Sequence, residues 1–144
     1  MARFLGIDFG TKRIGLALSD EEGILAFPES VILNDAKTLG KIKDLCQEKG
    51  VGSIILGESL NLSSEPNKLM VKINKFKKKL EEELDLKVYF EKEFMTSIEA
   101  RRIFKNLTEP RSDTARKVKR KRILIDASAA ALILQRYLDR KNAT

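Results

Sequence analysis

The order of the hydrophobic patterns constrains the fold of this chain more than any other feature of its sequence. Three strand-like segments come first, and helical and strand-like segments alternate after them. The strand patterns cover residues 3–9, 13–19, 24–33, 51–56 and 86–90, and the helical patterns cover about 35–49, 69–84, 96–107 and 123–139. Strands joined by short turns pair antiparallel, whereas strands joined through a helix pair parallel. The sequence therefore predicts an α/β fold with a five-stranded mixed sheet, a three-stranded antiparallel meander plus two parallel strands, flanked by about four helices.

Details of the patterns place individual segments within this sheet. Residues 3–9 are almost continuously apolar, which is typical of a central strand covered on both faces. Pro28 cannot donate a ladder hydrogen bond, so its strand is expected at an edge or with a bulge. Asn34 or Asp35 is expected to cap the first helix. Residues 108–122 are polar and rich in Arg and Lys, and they are predicted to form a mobile loop.

Composition excludes several classes of chemistry. The chain of 144 residues contains no histidine and one cysteine, so histidine-based triads, a zinc cluster and an internal disulfide are all excluded. Cys46 is expected to be a buried thiol without a chemical role. Lys and Arg number 28 against 21 Asp and Glu, which favours a polyanionic partner such as nucleic acid. Residues 1–144 are expected to form one domain of a cytoplasmic protein, without a signal peptide or membrane span.

Asp8 lies inside the first strand pattern, where a carboxylate is costly to bury unless it is paired, protonated or bound to a metal. Ligands of open sheets gather at the carboxyl ends of the strands, and Asp8 is near such an end. Thr11, Lys12 and Arg13 follow it and supply hydrogen-bond donors. Asp8 is therefore either a structurally satisfied aspartate or part of a site that uses these donors.

Three further carboxylates are predicted near the same edge of the sheet. Glu93 follows the fifth strand, and Asp126 lies in the first turn of the last helix. Glu58 follows the fourth strand and is a candidate fourth member. Each also has a plainer interpretation, because Glu93 and Glu58 can be solvated loop residues and Asp126 can complement the helix dipole.

Converging carboxylates repel one another unless cations neutralise them. Oxygen ligands without histidine select hard cations, so Asp8, Glu93 and Asp126 predict a site for Mg²⁺ or Mn²⁺. Two such ions about 4 Å apart activate a water and stabilise the leaving oxygen of a phosphodiester. The residue types alone indicate phosphodiester hydrolysis as a hypothesis.

Six cations occupy seven consecutive positions shortly before Asp126. They are Arg116, Lys117, Lys119, Arg120, Lys121 and Arg122. Such a run is often only a solvated face, but beside a carboxylate-bearing helix it is suited to hold a phosphate backbone. A second group of cations lies in the long helix and is interpreted as an aid to solubility. Its members are Lys72, Lys75, Lys77, Lys78 and Lys79.

Two segments resemble the YqgF family, relatives of the RuvC Holliday junction resolvase. GIDFGTKRIGLALSD at 6–20 resembles the family's opening motif almost residue for residue, and IDASAAALILQRYLD at 125–139 resembles its last helix. The middle is less similar, with GESLNLSS at 57–64 where the family has GLPLNMDG, and KEFMTSIEA at 92–100 where it has DERL[ST]TVEA. The resemblance spans nearly the whole chain and implies a ribonuclease H-like fold.

The resemblance also implies a function. Asp8, Glu93 and Asp126 fall on the family's acidic positions, and the family is implicated in maturing the 5′ end of 16S ribosomal RNA. This implies an Mg²⁺- or Mn²⁺-dependent endonuclease acting on structured RNA, as a monomer or a homodimer.

Three alternatives stay open. A Holliday junction resolvase uses the same chemistry on branched DNA and needs a dimer. A nucleic-acid-binding ribosome-assembly factor without catalysis is favoured by the altered segments 58–64 and 92–94. The D-x-G-T sequence at Asp8 also resembles the phosphate loop of actin-like ATPases, but those need two such domains and this chain has one.

Overall fold

A computed structural model describes residues 2–59, 68–93 and 115–143, with the backbone alone at positions 59, 93 and 115–126. The strands are β1 (Arg3–Phe9), β2 (Arg13–Ser19), β3 (Ala26–Leu33), β4 (Val51–Ser59) and β5 (Lys87–Glu93). The helices are α1 (Thr38–Lys49), α2 (Lys68–Leu84) and α3 (Ala115–Asn142). The predicted helix at 96–107 lies outside the described residues.

The five strands form one sheet in the order β3-β2-β1-β4-β5. β1 pairs antiparallel with β2 and parallel with β4, while β3 and β5 lie at the two edges. The predicted meander with two added parallel strands is therefore confirmed, and so is the central position of residues 3–9. Pro28 lies on the edge strand, where the register with β2 shifts as predicted for a bulge.

Helices cover both faces of this sheet. Leu5 and Ile7 of β1 pack with the buried side chains of α1 and α2, including Ile42 and Ile73. The opposite face packs against α3, whose inner side chains include Leu134. Successive strand residues point to opposite faces, so β1 contributes to both layers of the core. In the described part of the chain, no helix is both long enough and apolar enough to span a membrane.

The hairpin between β2 and β3 is closed by Asp20. Its Oδ1 accepts hydrogen bonds from the backbone N–H of Ile24 at 2.8 Å and of Leu25 at 3.2 Å. The first of these bonds is the main reason that the pKa of Asp20 lies below its usual value. Because this turn occupies Ile24 and Leu25, β3 begins at Ala26 rather than at the predicted residue 24.

β4 and β5 are longer than their apolar patterns. Parallel pairing continues through Gly57↔Glu91, Glu58↔Lys92 and Ser59↔Glu93. Glu58 and Glu93 therefore belong to strands instead of following them. Polar residues extend these strands because the backbone ladder, and not the side-chain pattern, satisfies their hydrogen bonds.

The last helix corrects the predicted loop at 108–122. α3 begins at Ala115, so the prediction of a loop is wrong for residues 115–122, while 108–114 lie outside the described residues. Arg and Lys are good helix formers, and no Gly or Pro follows Pro110 before the helix. The high charge of this segment favours a loop, but the strong helix propensity of Arg and Lys prevails.

Cys46 lies on the inner face of α1 and is buried, as expected. Burial raises the pKa of its thiol to about 11, so less thiolate forms than in an exposed cysteine. We expect a disulfide reagent at pH 8 to modify native Cys46 at least about tenfold more slowly than the urea-unfolded chain. Stopped-flow absorbance measures both rates, and equal rates would contradict the buried position.

Candidate active site

Asp8 lies at the carboxyl end of β1, on the face of the sheet that α3 covers. It pairs with Gly15 of β2 and is half-buried. Alternate strand residues share a face, so Asp8 is on the same side as Gly6. A Cβ on Gly6 would lie 2.7 Å from Leu134 Cβ and 2.9 Å from the carbonyl oxygen of Ala130. The helix backbone thus approaches β1 closely, two residues before Asp8.

α3 runs antiparallel to β1, and this brings its middle turns to the level of Asp8. The rings of Phe4 and Tyr137 lie 5.8 Å apart, and Gly6 contacts the turn formed by Ala130 and Leu134. Two strand residues advance about 6.6 Å and one helical turn about 5.4 Å. The next turn of α3, which carries Asp126, is therefore the turn level with Asp8. Asp126 also occupies the helical stripe that continues through Ala130.

The sheet register defines where the other two predicted carboxylates lie. Glu93 is the last residue of β5, which is separated from β1 by β4, so about 10 Å separates the two strands. Glu58 lies on β4 itself and is half-buried. Leu56 packs with the α1 and α2 layer, and alternation puts Glu58 on that face. The structure thus places Asp8 and Glu58 on opposite faces of the sheet.

Among the side chains that the structure describes, no group of three or more His, Cys, Asp or Glu could hold a metal ion. Asp8 belongs to that described set, whereas the side chains of Glu93 and Asp126 lie outside it. Their predicted convergence therefore stays a prediction. Its donor set is all oxygen, which suits Mg²⁺ or Mn²⁺.

A tight turn beside Asp8 carries the predicted donors Thr11, Lys12 and Arg13. A Cβ on Gly10 would overlap the carbonyl oxygen of Arg13, so this turn closes only with glycine. Thr11 and Lys12 are exposed, and Arg13 is half-buried as the first residue of β2. The turn thus presents an exposed hydroxyl and an exposed ammonium at the edge of the sheet where Asp8 lies.

Asn34 holds this turn in place, a role that sequence reasoning missed. Its side-chain Nδ2 donates to the carbonyl oxygen of Gly10 at 2.8 Å, and its backbone N–H donates to the carbonyl oxygen of Lys12 at 2.9 Å. The sequence suggested Asn34 or Asp35 as a helix cap, but the N-cap of α1 is Lys37 without a side-chain bond. The contact spans 24 residues, so no local pattern signals it.

We expect Asn34→Ala to lower the cleavage rate about tenfold, because Gly10 then loses a donor and the turn is held less firmly. Cleavage kinetics on structured RNA, the substrate that the sequence resemblance implies, together with urea unfolding, measure the change. Asp35→Ala is the matched control, since it removes the 2.8 Å bond between Asp35 Oδ1 and the backbone N–H of Lys37 in the next turn. A loss of rate equal in both variants would contradict a specific role for Asn34.

An ion pair between the buried Glu91 and the exposed Arg140 connects β5 to the end of α3. Glu91 is 6% exposed and contacts Arg140, with Oε1 2.6 Å from Nη2 and Oε2 3.3 Å from Nη1. The Tyr89 and Tyr137 rings stack beside it at 6.1 Å, and burial is the main reason that the pKa of Tyr137 is raised. The pair fixes β5 against α3 two residues before Glu93.

The predicted basic segment lies in the first turns of α3. These turns carry Arg116, Lys117, Lys119, Arg120, Lys121 and Arg122. Eleven residues separate the helix start from Asp126, which corresponds to about 16 Å of helix. Since Asp126 is level with the end of β1, this part of α3 extends beyond the carboxyl edge of the sheet.

The chain is similar in sequence to one protein family and to proteins of several bacteria that share one name. The family model described as "RuvX: Holliday junction resolvase" matches residues 2–140. A protein of Sulfurihydrogenibium sp. is 37% identical over 97% of this chain and 92% of its own length. A protein of Lactobacillus acidophilus is 38% identical over 95% of this chain and 96% of its own. Both carry the name "Putative pre-16S rRNA nuclease".

Two solved structures share the fold. The Thermus thermophilus RuvC structure has a TM-score of 0.55 at 16% identity, covering 99% of this chain and 97% of its own. T. thermophilus RuvC in complex with a Holliday junction substrate has a TM-score of 0.54, also at 16% identity, with coverages of 96% and 95%. The predicted ribonuclease H-like fold is thereby confirmed.

Proposed function

Because this chain belongs to the RuvX family, identified above by its YqgF motifs, we propose that it is a metal-dependent endonuclease that processes the 5′ end of the 16S ribosomal RNA precursor. The family consists of nucleases, hydrolases that act on ester bonds. The names of the Sulfurihydrogenibium and Lactobacillus relatives support the ribosomal substrate. The net charge of +7 supports a polyanionic partner.

The proposed site consists of carboxylates on three elements. Asp8 on β1, Glu93 at the end of β5 and Asp126 on α3 would hold Mg²⁺ or Mn²⁺. The candidate fourth ligand, Glu58, is not included because it lies on the opposite face of the sheet from Asp8. The bound ion supplies Lewis-acid stabilisation of the charge that develops on the phosphate. Asp8 fits this role because it is a half-buried carboxylate at a strand end.

The chain's cations would position the substrate. Lys12 on the exposed turn can contact the phosphate next to the cleaved bond, with Thr11 and Arg13 as further donors. The basic segment 116–122 would follow the phosphate backbone of the RNA beyond the proposed metal site. Phosphate contacts of this kind orient a substrate without reading its sequence, which suits a structured RNA.

One observation carries this proposal. The close approach of α3 to Gly6 aligns the helix with β1, so that the turn carrying Asp126 is level with Asp8. Residues 118 positions apart in the chain thus lie at one edge of the sheet. If the contact between α3 and β1 served packing alone, carboxylates at the same height on both elements would not be needed, since charged groups are costly to bury.

The direct test is to incubate the purified protein with a 16S precursor RNA and with a four-way DNA junction, each with Mg²⁺ or with chelator. We expect Mg²⁺-dependent cleavage of the RNA near its mature 5′ end, and no cleavage with chelator. Binding without cleavage of either substrate would instead support a non-catalytic assembly factor.

Resolution of branched DNA is the second candidate function. It is favoured by the description of the family model and by the fold shared with RuvC. A resolvase cuts two strands symmetrically and so needs a dimer. Cleavage of the junction but not the RNA, by a protein that is dimeric in light scattering, would select this function.

A further inference from the structure

The exposed side of α2 carries a stripe of lysines that the site described above does not use. Four of them follow the spacing i, i+4, i+7 and i+11, which puts them on one flank of the helix. They are Lys68, Lys72, Lys75 and Lys79, and all are exposed. The buried side of the same helix consists of Met70, Ile73, Phe76 and Leu80. We call these four lysines the α2 stripe.

The charge order of α2 does not favour helix stability. Neighbours within the α2 stripe are like charges three or four residues apart, and each such pair destabilises a helix by about 0.2–0.5 kcal/mol. Glu81, Glu82 and Glu83 lie at the C-terminus, where the helix dipole disfavours negative charge. This segregation indicates a role for the lysines outside the helix itself.

The α2 stripe is also not neutralised within the protein. In α2, Glu81 pairs with Lys77 at 3.1 Å, and Lys77 lies outside the stripe. Within the described part of the chain, no carboxylate pairs with the four stripe lysines. By contrast, α1 mixes Lys41 and Lys43 with Asp44 and Glu48, so its exposed surface has both signs. No ion pair among the described side chains therefore neutralises the stripe, although Glu82 and Glu83 lie three and four residues after Lys79 at its end.

The α2 stripe begins at the same edge of the sheet as the proposed active site. Phe76 packs on Phe9, the last residue of β1, with ring centroids 5.0 Å apart. At the other end of the helix, Leu84 lines a groove with Val51, the first residue of β4. The N-terminal end of α2 therefore lies at the carboxyl edge of the sheet, and the helix runs away from that edge. Lys72 is one turn before Phe76, so it lies about 6 Å closer to the N-terminus of the helix and projects past the edge.

Two cationic helical segments consequently flank one edge of the sheet. Residues 115–125 of α3 extend past it on the Asp8 face, and the start of α2 reaches it on the opposite face. Along the helix axis the α2 stripe covers about 16 Å, whereas one strand of a duplex presents a phosphate about every 3.4 Å. Several phosphates therefore fit within its length.

We propose that the α2 stripe is a second binding surface for the phosphate backbone of double-helical nucleic acid, which passes over the edge of the sheet between α2 and the basic start of α3. This deepens the proposed function and rests on it, because the duplex leaves the active site along the stripe. Lysine ammoniums are compact charges that contact phosphate without base recognition. The surface contributes affinity and direction, and not sequence specificity.

The experiment measures the binding of a fluorescein-labelled hairpin RNA in the presence of chelator. Three proteins are compared: the wild type, the α2 variant Lys72→Ala/Lys75→Ala and the α1 variant Lys41→Ala/Lys43→Ala. Alanine favours helix, and both double variants remove the same charge from helices on the same face of the sheet. Each lost phosphate contact lowers the slope of log K against log salt by about 0.9 in duplex. We expect the α2 variant to lose about two units of slope and to bind about tenfold more weakly at low salt, with the α1 variant unchanged.

Each outcome has a defined meaning. If the α2 variant keeps the wild-type slope, or if both double variants lose it equally, the proposal is overturned. Wild-type affinity for the RNA together with stripe-dependent binding to vesicles of anionic lipid would overturn it in favour of a membrane surface. If the RNA binds through the α2 stripe but is never cleaved with Mg²⁺, the stripe proposal holds and the nuclease function fails.

Discussion

Asp8→Asn is expected to lower the rate of RNA cleavage by about 10³-fold, which corresponds to about 4 kcal/mol of transition-state stabilisation. Asparagine keeps the size of the side chain but removes the negative charge that would hold a divalent ion. The same substitution should leave RNA affinity within about twofold of the wild type, because phosphate binding depends on the cations. Single-turnover kinetics and fluorescence anisotropy measure the two quantities.

Asp44→Asn is the matched control for this prediction. Asp44 is an exposed carboxylate on α1, on the opposite face of the sheet from Asp8. The Asp44→Asn variant should cleave the RNA at the wild-type rate. If Asp8→Asn retains more than about a tenth of the activity, Asp8 has no central role in the chemistry. Equal losses in the two variants would indicate a general charge effect.

Gly6→Ala is expected to lower the free energy of unfolding by about 2 kcal/mol, the usual cost of overpacking a well-filled core. The new methyl group would lie 2.7 Å from Leu134 Cβ and 2.9 Å from the Ala130 carbonyl oxygen, so α3 must move away from β1. That movement separates the turn carrying Asp126 from Asp8. Cleavage should therefore fall more steeply than the folded fraction does.

Gly40→Ala is the control for Gly6→Ala, because a Cβ on Gly40 would meet no atom within 4 Å. Gly40 lies within α1, where alanine is favoured over glycine by about 1 kcal/mol. Urea denaturation should thus show opposite signs for the two substitutions. A stable Gly6→Ala variant with full activity would contradict the close packing of α3 on β1.

The parts of the fold that follow from local patterns could be predicted from the sequence. The apolar run at 3–9 identified the central strand, and Pro28 identified the edge strand. Their signals are local, because burial on both faces requires continuous apolar residues and proline lacks a donor. The position of Asp8 near a strand end followed from the same pattern.

The parts that depend on distant contacts could not be predicted. Glu58 and Glu93 lie within strands because β4 and β5 pair beyond their apolar segments, and pairing of this kind leaves no mark in either sequence alone. Asn34 holds the Gly10 turn across 24 residues. Alternation along β4 placed Glu58 on the face away from Asp8, which the end of an apolar run could not reveal.

The most direct test of the proposed metal site is a crystal of the protein soaked in Mn²⁺, with anomalous scattering measured to locate the ion. We expect a peak within about 2.2 Å of a carboxylate oxygen of Asp8, with carboxylate oxygens of Asp126 and Glu93 completing the ligands. A peak elsewhere, or these three carboxylates too far apart to share ions in a crystal saturated with Mn²⁺, would contradict it.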